Sequence, residues 1–171
     1  MERRAGKAVI IILISLLLSS HAGHSDASDG PVSEAPLWCA VSLVRNAGPS
    51  NAISGQEILI TLRVEVVTRI PSLTKGLSDR PNLPAEEGML FVVDPKETPV
   101  FWMRGMKFPL DIIFFDREKK ITDMFQDLQP CENCTTFSAR EPSPYTLEIN
   151  AGLSRIYGLR RGDILVIQTC E

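Results

Sequence analysis

The stretch from residue 88 to 116, GMLFVVDPKETPVFWMRGMKFPLDIIFFD, constrains the fold more than any other part of the chain. Its 29 positions hold six of the chain's eleven aromatic residues: Phe91, Phe101, Trp102, Phe108, Phe114 and Phe115. Pro-containing turns divide it, and it reads as three short strands at 88–93, 100–103 and 110–116. The first and third are apolar nearly throughout, which predicts burial on both faces.

The rest of the chain carries the same kind of signal. Residues 57–67, EILITLRVEVV, are rich in β-branched residues, and Arg63 and Glu65 alternate with Leu62, Val64 and Val66. Weaker strand patterns lie at 37–44, 145–149 and 164–169. Residues 121–128 form another, with Asp123 and Asp127 expected to face outward. Pro71 opens a short helix that Gly76 ends, and residues 151–157 make about two helical turns closed by Gly158. Residues 46–51 are a loop by composition. Residues 117–120 are a charged hairpin turn, and residues 129–144 are an irregular excursion carrying Cys131 and Cys134. The predicted fold is mostly β: a single-domain β-sandwich or partly open barrel with one or two short helices. A doubly wound α/β fold is disfavoured, because the long helices of parallel crossovers are missing.

The N-terminus reads as a signal peptide over residues 1–22. Arg3, Arg4 and Lys7 form a basic start, residues 8–18 are apolar but for Ser15, and Ser20 and Ala22 offer small residues for cleavage. An apolar run of eleven residues is shorter than the roughly 20 a spanning helix needs, so no stable membrane insertion is expected after cleavage. Residues 23–36 are small, polar and acidic, a disordered lead-in to a folded domain over 37–171. The protein is thus expected to be exported, periplasmic or secreted. Cleavage would remove Arg3, Arg4, Lys7 and Glu2, taking Lys+Arg from 18 to 15 and Asp+Glu from 21 to 20, a net charge near −5. That balance argues against nucleic acid as a partner.

Histidine narrows the chemistry. His21 and His24 both precede the domain, so no imidazole is available there for nucleophilic catalysis or for a histidine metal site.

The motifs, in order, are Gly76-Leu77 followed by Arg80; Gly88-Met89-Leu90-Phe91; Phe101-Trp102-Met103; Pro109-Leu110-Asp111-Ile112-Ile113-Phe114; Leu147-Glu148 with Ala151-Gly152; and Gly158-Leu159 with Gly162-Asp163. From about residue 58 to 166 the chain resembles the family called domain of unknown function 192, also uncharacterised protein family 0127. It departs from the usual pattern at Leu73, at Ser78 and over Arg104-Gly105-Met106. The resemblance implies a compact β-sandwich and supplies no reaction.

Several residues carry possible chemistry. Asp111 sits inside PLDIIFF and Glu148 inside TLEIN, and a carboxylate there needs a partner or an opening. With Arg80 they make either a polar pocket or a structural ion pair. Trp102, Met103 and Met106 form a soft aromatic cluster that suits either core packing or Cu(I). Cys131-x-x-Cys134 is a redox dithiol, half a zinc site or a local disulfide. In an oxidising compartment disulfides Cys131–Cys134 and Cys39–Cys170 are favoured. No metal or cofactor is expected. The reading that follows is an exported domain that binds a small polar ligand or an envelope protein in a cleft lined by Arg80, Trp102, Met103, Asp111 and Glu148. Its rivals are a carboxylate-pair enzyme on envelope glycans, and an accessory redox or Cu(I)-handling protein. Whether there is any catalysis stays open.

Overall fold

The computed structural model describes residues 35–46, 55–69 and 72–171. The expected signal peptide, nearly all of the lead-in, most of the loop at 46–51 and the helix-opening Pro71 lie outside them. Seven strands follow in chain order, with two one-turn helices between them: β1 Leu37–Asn46, β2 Gln56–Val67, α1 Ser72–Lys75, β3 Glu87–Val92, β4 Leu110–Phe115, β5 Ile121–Leu128, β6 Tyr145–Asn150, α2 Leu153–Ile156 and β7 Ile164–Cys170. No helix among the described residues is long and apolar enough to cross a membrane.

The fold is mostly β, as the sequence predicts, and the strands form one sheet in the order β5-β4-β6-β3-β2-β1-β7. Every neighbouring pair is antiparallel except β2 and β3. The sheet curls so that one face of all seven strands shares a core that includes Val41, Leu62, Leu90, Ile113, Ile121, Leu147 and Leu165. The edge strands meet only at one corner, where Lys120 bridges Ile164, so the sheet is not closed. Arg45 braces that corner from β1. Its Nε and Nη2 donate to the two carboxylate oxygens of buried Asp163 at 2.8 and 2.7 Å.

A second apolar layer covers the opposite face of β3 and β4 with Met89, Phe91, Leu110, Ile112 and Phe114, joined by Leu77, Phe101 and Met103 from the connections. Residues 110–115 are therefore buried at every position, the two-sided burial their composition predicts. Four edge-to-face or tilted contacts link Phe91, Phe101, Phe114, Phe125 and Phe137 across this layer.

Because β2 and β3 are parallel, the chain between them must cross over one face of the sheet. Residues 72–86, with α1 at their start, belong to that crossing, and Leu77 anchors it in the second layer.

Two expectations are corrected. Residues 100–103 are not a strand: Phe101 makes a single bridge to Phe137, and the flanking Pro99 and Gly105 turn prevent a ladder. Asp123 does not face outward. It is buried and accepts from the side chains of Arg140 and Arg161 at 3.2–3.3 Å, because register shifts between β4 and β5 break the alternation. Asp163, beside the turn at Gly162, anchors Arg45. All four cysteines are paired, Cys39 with Cys170 and Cys131 with Cys134.

Candidate functional site

The site is built on the middle of β6. In the ladders Glu148 stands opposite Met89 on β3 and Ile112 on β4. Cross-strand partners share a face, so Glu148 points into the second apolar layer. The crossover after α1 covers it. Gly76 has φ +50°, a conformation that favours glycine. A Cβ there would lie 3.3 Å from Phe91 Cζ and 3.9 Å from Glu148 Oε2. The crossover backbone therefore passes directly over the carboxyl group.

Glu148 is 6% exposed, and its Oε2 has no hydrogen-bond partner. Burial pushes this carboxyl up to about 8, against the opposing pull of the Arg80 charge. At neutral pH the group is mostly protonated, so it offers a hydrogen-bond donor as well as an acceptor. Two residues along β6, the fully buried Thr146 Oγ1 also lacks a partner.

A pocket of about 30 Å³ opens against this carboxyl, walled by Gly76, Phe91, Phe101, Trp102 and Met106. That volume holds about one or two water molecules. It adjoins a wider hollow of about 330 Å³ that shares Lys75, Gly76 and Ser78 with it and continues to Glu65, Asp79 and Arg80. Trp102 is 42% exposed at the mouth. The loop that carries it is tied to the crossover, where Asp79 N–H donates to the Gly105 carbonyl at 3.1 Å.

The structure brings together Arg80, Trp102 and Glu148 of the residues singled out in the sequence. Arg80 does not pair with Asp111: its Nη2 donates to Glu65 Oε2 at 2.6 Å. Asp111 does not line the pocket. It stands opposite Ile149, one position out of phase with Ile112 and Glu148, so the pleat turns it to the other face. There it accepts from Asp127 N–H at 2.8 Å, Gly152 N–H at 3.1 Å, Ser154 N–H at 3.0 Å and Ser154 Oγ–H at 2.6 Å. A carboxylate so bonded is a structural clamp between β4, β5 and the start of α2. The two carboxylates cannot act as one pair. Met103 is buried in the apolar layer, and Met106 takes its place at the pocket wall. Among the described residues no three His, Cys, Asp or Glu side chains converge.

Gly76, Phe91 and Ser78 are not among the candidate site residues of the sequence, and Met106 is there only as part of the soft cluster with Trp102 and Met103. The available signal was Gly76-Leu77 followed by Arg80, which marks a glycine held in place by a buried neighbour.

A larger depression, about 470 Å³, lies elsewhere, beside the Cys39–Cys170 bridge. Its one cation is already engaged: Arg63 stacks 4.2 Å over Trp38 and lies 3.8 Å from both Glu87 and Glu171. The smaller pocket is the better candidate, because it holds a buried polar atom with nothing bonded to it.

Comparison with known proteins agrees with the sequence resemblance. The model of the family described as "Uncharacterized ACR", domain of unknown function 192, matches residues 51–167. A protein of unknown function from Novosphingobium aromaticivorans is 30% identical, with a TM-score of 0.65 over 83% of this chain and 93% of its own. A protein from Sinorhizobium meliloti, described as a candidate transcription regulator, is 28% identical, with a TM-score of 0.66 over 81% of this chain and 98% of its own. No curated protein matches the chain.

Proposed function

Because this chain belongs to the family called domain of unknown function 192, which brings no activity with it, we propose its function from the geometry of its own site: it binds a small polar ligand in the pocket over Glu148. One observation carries the reading. Glu148 Oε2 is buried and unbonded at the end of a pocket that opens beside a half-exposed tryptophan. A buried polar atom without a partner costs about 1–3 kcal/mol, and a ligand that bonds to it recovers that cost. Aromatic walls supply apolar contact while the carboxyl orients the guest, the usual division of labour in a small-molecule site.

The same reading places the protein outside the cytoplasm. Its support is the basic, apolar and small-residue succession over residues 1–22, together with four cysteines that are all paired. Intact mass of the protein recovered from the cell envelope tests it. A chain beginning at Gly23 is expected, and one that keeps residues 1–22 would overturn it. Nucleic acid is not part of the reading, since the net charge is −3.

A thermal-shift screen of small polar compounds tests the binding site. A ligand at about a hundred times its Kd stabilises the protein by about 2.7 kcal/mol. The shift should shrink in both Trp102→Ala and Glu148→Gln. Compounds that stabilise all three proteins equally would place binding elsewhere.

A further inference from the structure

We propose that the Glu148 pocket takes a small organic cation, with a primary ammonium group seated among the aromatic rings against the carboxyl. This inference rests on the binding reading above and adds the chemistry of the ligand.

The charges around the pocket lead to it. Arg80 acts on Glu148 but is engaged by Glu65 at 2.6 Å. Lys75 of α1 is exposed at the rim, and Asp79 is exposed beyond it. Of the strands flanking β6, β4 brings only Leu110, Ile112 and Phe114 to this face, and β3 brings Met89 and Phe91 with one charge, Glu87 at its start, which lies 3.8 Å from Arg63. Asp111 lies on the opposite face. Among the described residues Glu148 is therefore an acid in the second layer with no hydrogen bond to a cation, and the two unbonded buried side-chain atoms both belong to its strand.

The walls favour the same guest. Phe91, Phe101 and Trp102 line the pocket, and aromatic faces attract cations. The thioether of Met106 adds a polarisable surface. A pocket of about 30 Å³ admits an ammonium head and little more, while the adjoining hollow of about 330 Å³ leaves room for the rest of the molecule.

A neutral guest would leave the carboxyl protonated. A cation brings the opposite charge that lets it ionise. Binding then exchanges one charge for another: the carboxylic acid loses its proton to solvent, and the carboxylate pairs with the ammonium. Since burial holds the group near 8, that proton is released when binding occurs at neutral pH.

Titration of the full chain with n-butylamine and with n-butanol, followed by tryptophan emission and by calorimetry in buffers of different ionisation enthalpy, tests this. Trp102→Phe assigns the emission change to the pocket. Butylamine affinity should rise about tenfold per pH unit up to about pH 8 and then level off. About one proton should be released per amine bound near pH 6.5, and almost none near pH 9. Butanol should bind more than about tenfold more weakly. Glu148→Gln should remove the pH dependence and weaken the amine, and Trp102→Ala, at a half-exposed position, should weaken it in a protein that melts like the wild type. Butanol binding as tightly as butylamine, with both sensitive to Glu148→Gln, would overturn the cation and leave the binding site standing. Amine binding without proton release, or undiminished in Glu148→Gln, would overturn the proposal. So would no amine binding near pH 9.

Discussion

Asp111 and Glu148 lie on neighbouring strands, one residue out of phase, and face opposite sides of the same sheet. The phase separates their fates. Asp111 accepts four hydrogen bonds from Asp127, Gly152 and Ser154, whereas Glu148 Oε2 accepts none. One carboxylate is consumed by the fold and the other is left for a ligand.

Replacing Asp111 tests the first half. Asparagine has one acceptor oxygen and turns an amide N–H₂ toward backbone donors, so buried N–H groups lose their partners. Asp111→Asn should cost roughly 3–5 kcal/mol. Arg80→Met should cost about 1 kcal/mol or less, because the Arg80–Glu65 pair is partly open to solvent. The double mutant should show the sum of the two effects, since Asp111 and Arg80 share no partner. Urea denaturation of the three variants measures this. A double mutant more stable than Asp111→Asn would mean that the two residues do pair.

The disulfides should differ in weight. Cys39 and Cys170 face each other across β1 and β7 and close a loop of 131 residues, whereas Cys131 and Cys134 are three apart. Chain entropy then predicts a loss of roughly 3–5 kcal/mol for Cys39→Ala/Cys170→Ala and roughly 1–2 kcal/mol for Cys131→Ala/Cys134→Ala. Denaturant melts of the two double mutants decide. An equal or reversed order would show that the excursion at residues 129–144 depends on its disulfide for more than loop closure.

Much of this was legible in the sequence, and the part that was not has a common cause. The run LDIIFF reads as a strand buried on both faces, and every one of its residues is buried. The same run shows that Asp111 needs partners. It does not show which, because Gly152 and Ser154 lie some forty residues on and meet Asp111 only through the β4–β6 pairing. Alternation along β2 marks Glu65 as a polar-face residue, but nothing local joins it to Arg80, which arrives by the crossover. Gly76 reads as a helix end, which it is. Its place over Glu148 follows from the parallel pairing of β2 and β3, and strand patterns carry no sign of strand direction. Residues 100–103 look like a strand because they are an apolar, aromatic run between turns, but a strand also needs a ladder partner, and Phe137 supplies a single bridge.

Gly76 and Gly158 make a controlled pair. Both have φ near +50° to +60°, so alanine at either carries the left-handed backbone cost, roughly 1–2 kcal/mol. A Cβ at Gly158 meets nothing within 4 Å, whereas one at Gly76 comes to 3.3 Å from Phe91. Gly76→Ala should therefore destabilise more than Gly158→Ala and should also shift the emission of Trp102, which shares the pocket. Equal losses with unchanged emission would mean that the crossover does not press on the pocket floor.

The pH dependence of folding tests the environment of Glu148 without any ligand. Its carboxyl is raised from 4.5 to about 8 in the folded protein, chiefly by burial. Between those values the folded chain holds a proton that the unfolded chain has lost, so stability falls as pH rises. The contribution is fully present below about pH 4.5, declines across the interval and is gone above about pH 8. At about 1.4 kcal/mol per pH unit the loss is on the order of 5 kcal/mol. Glu148→Gln keeps a neutral side chain of the same shape at every pH. Its stability should match the wild type near pH 5, stay level through this window and exceed the wild type above pH 8. Urea melts of both proteins from about pH 5 to pH 9, with the disulfides intact, give the two curves. Parallel curves would mean that Glu148 ionises freely in the folded state, and its carboxyl would then have to be in contact with water or with a cation of the protein.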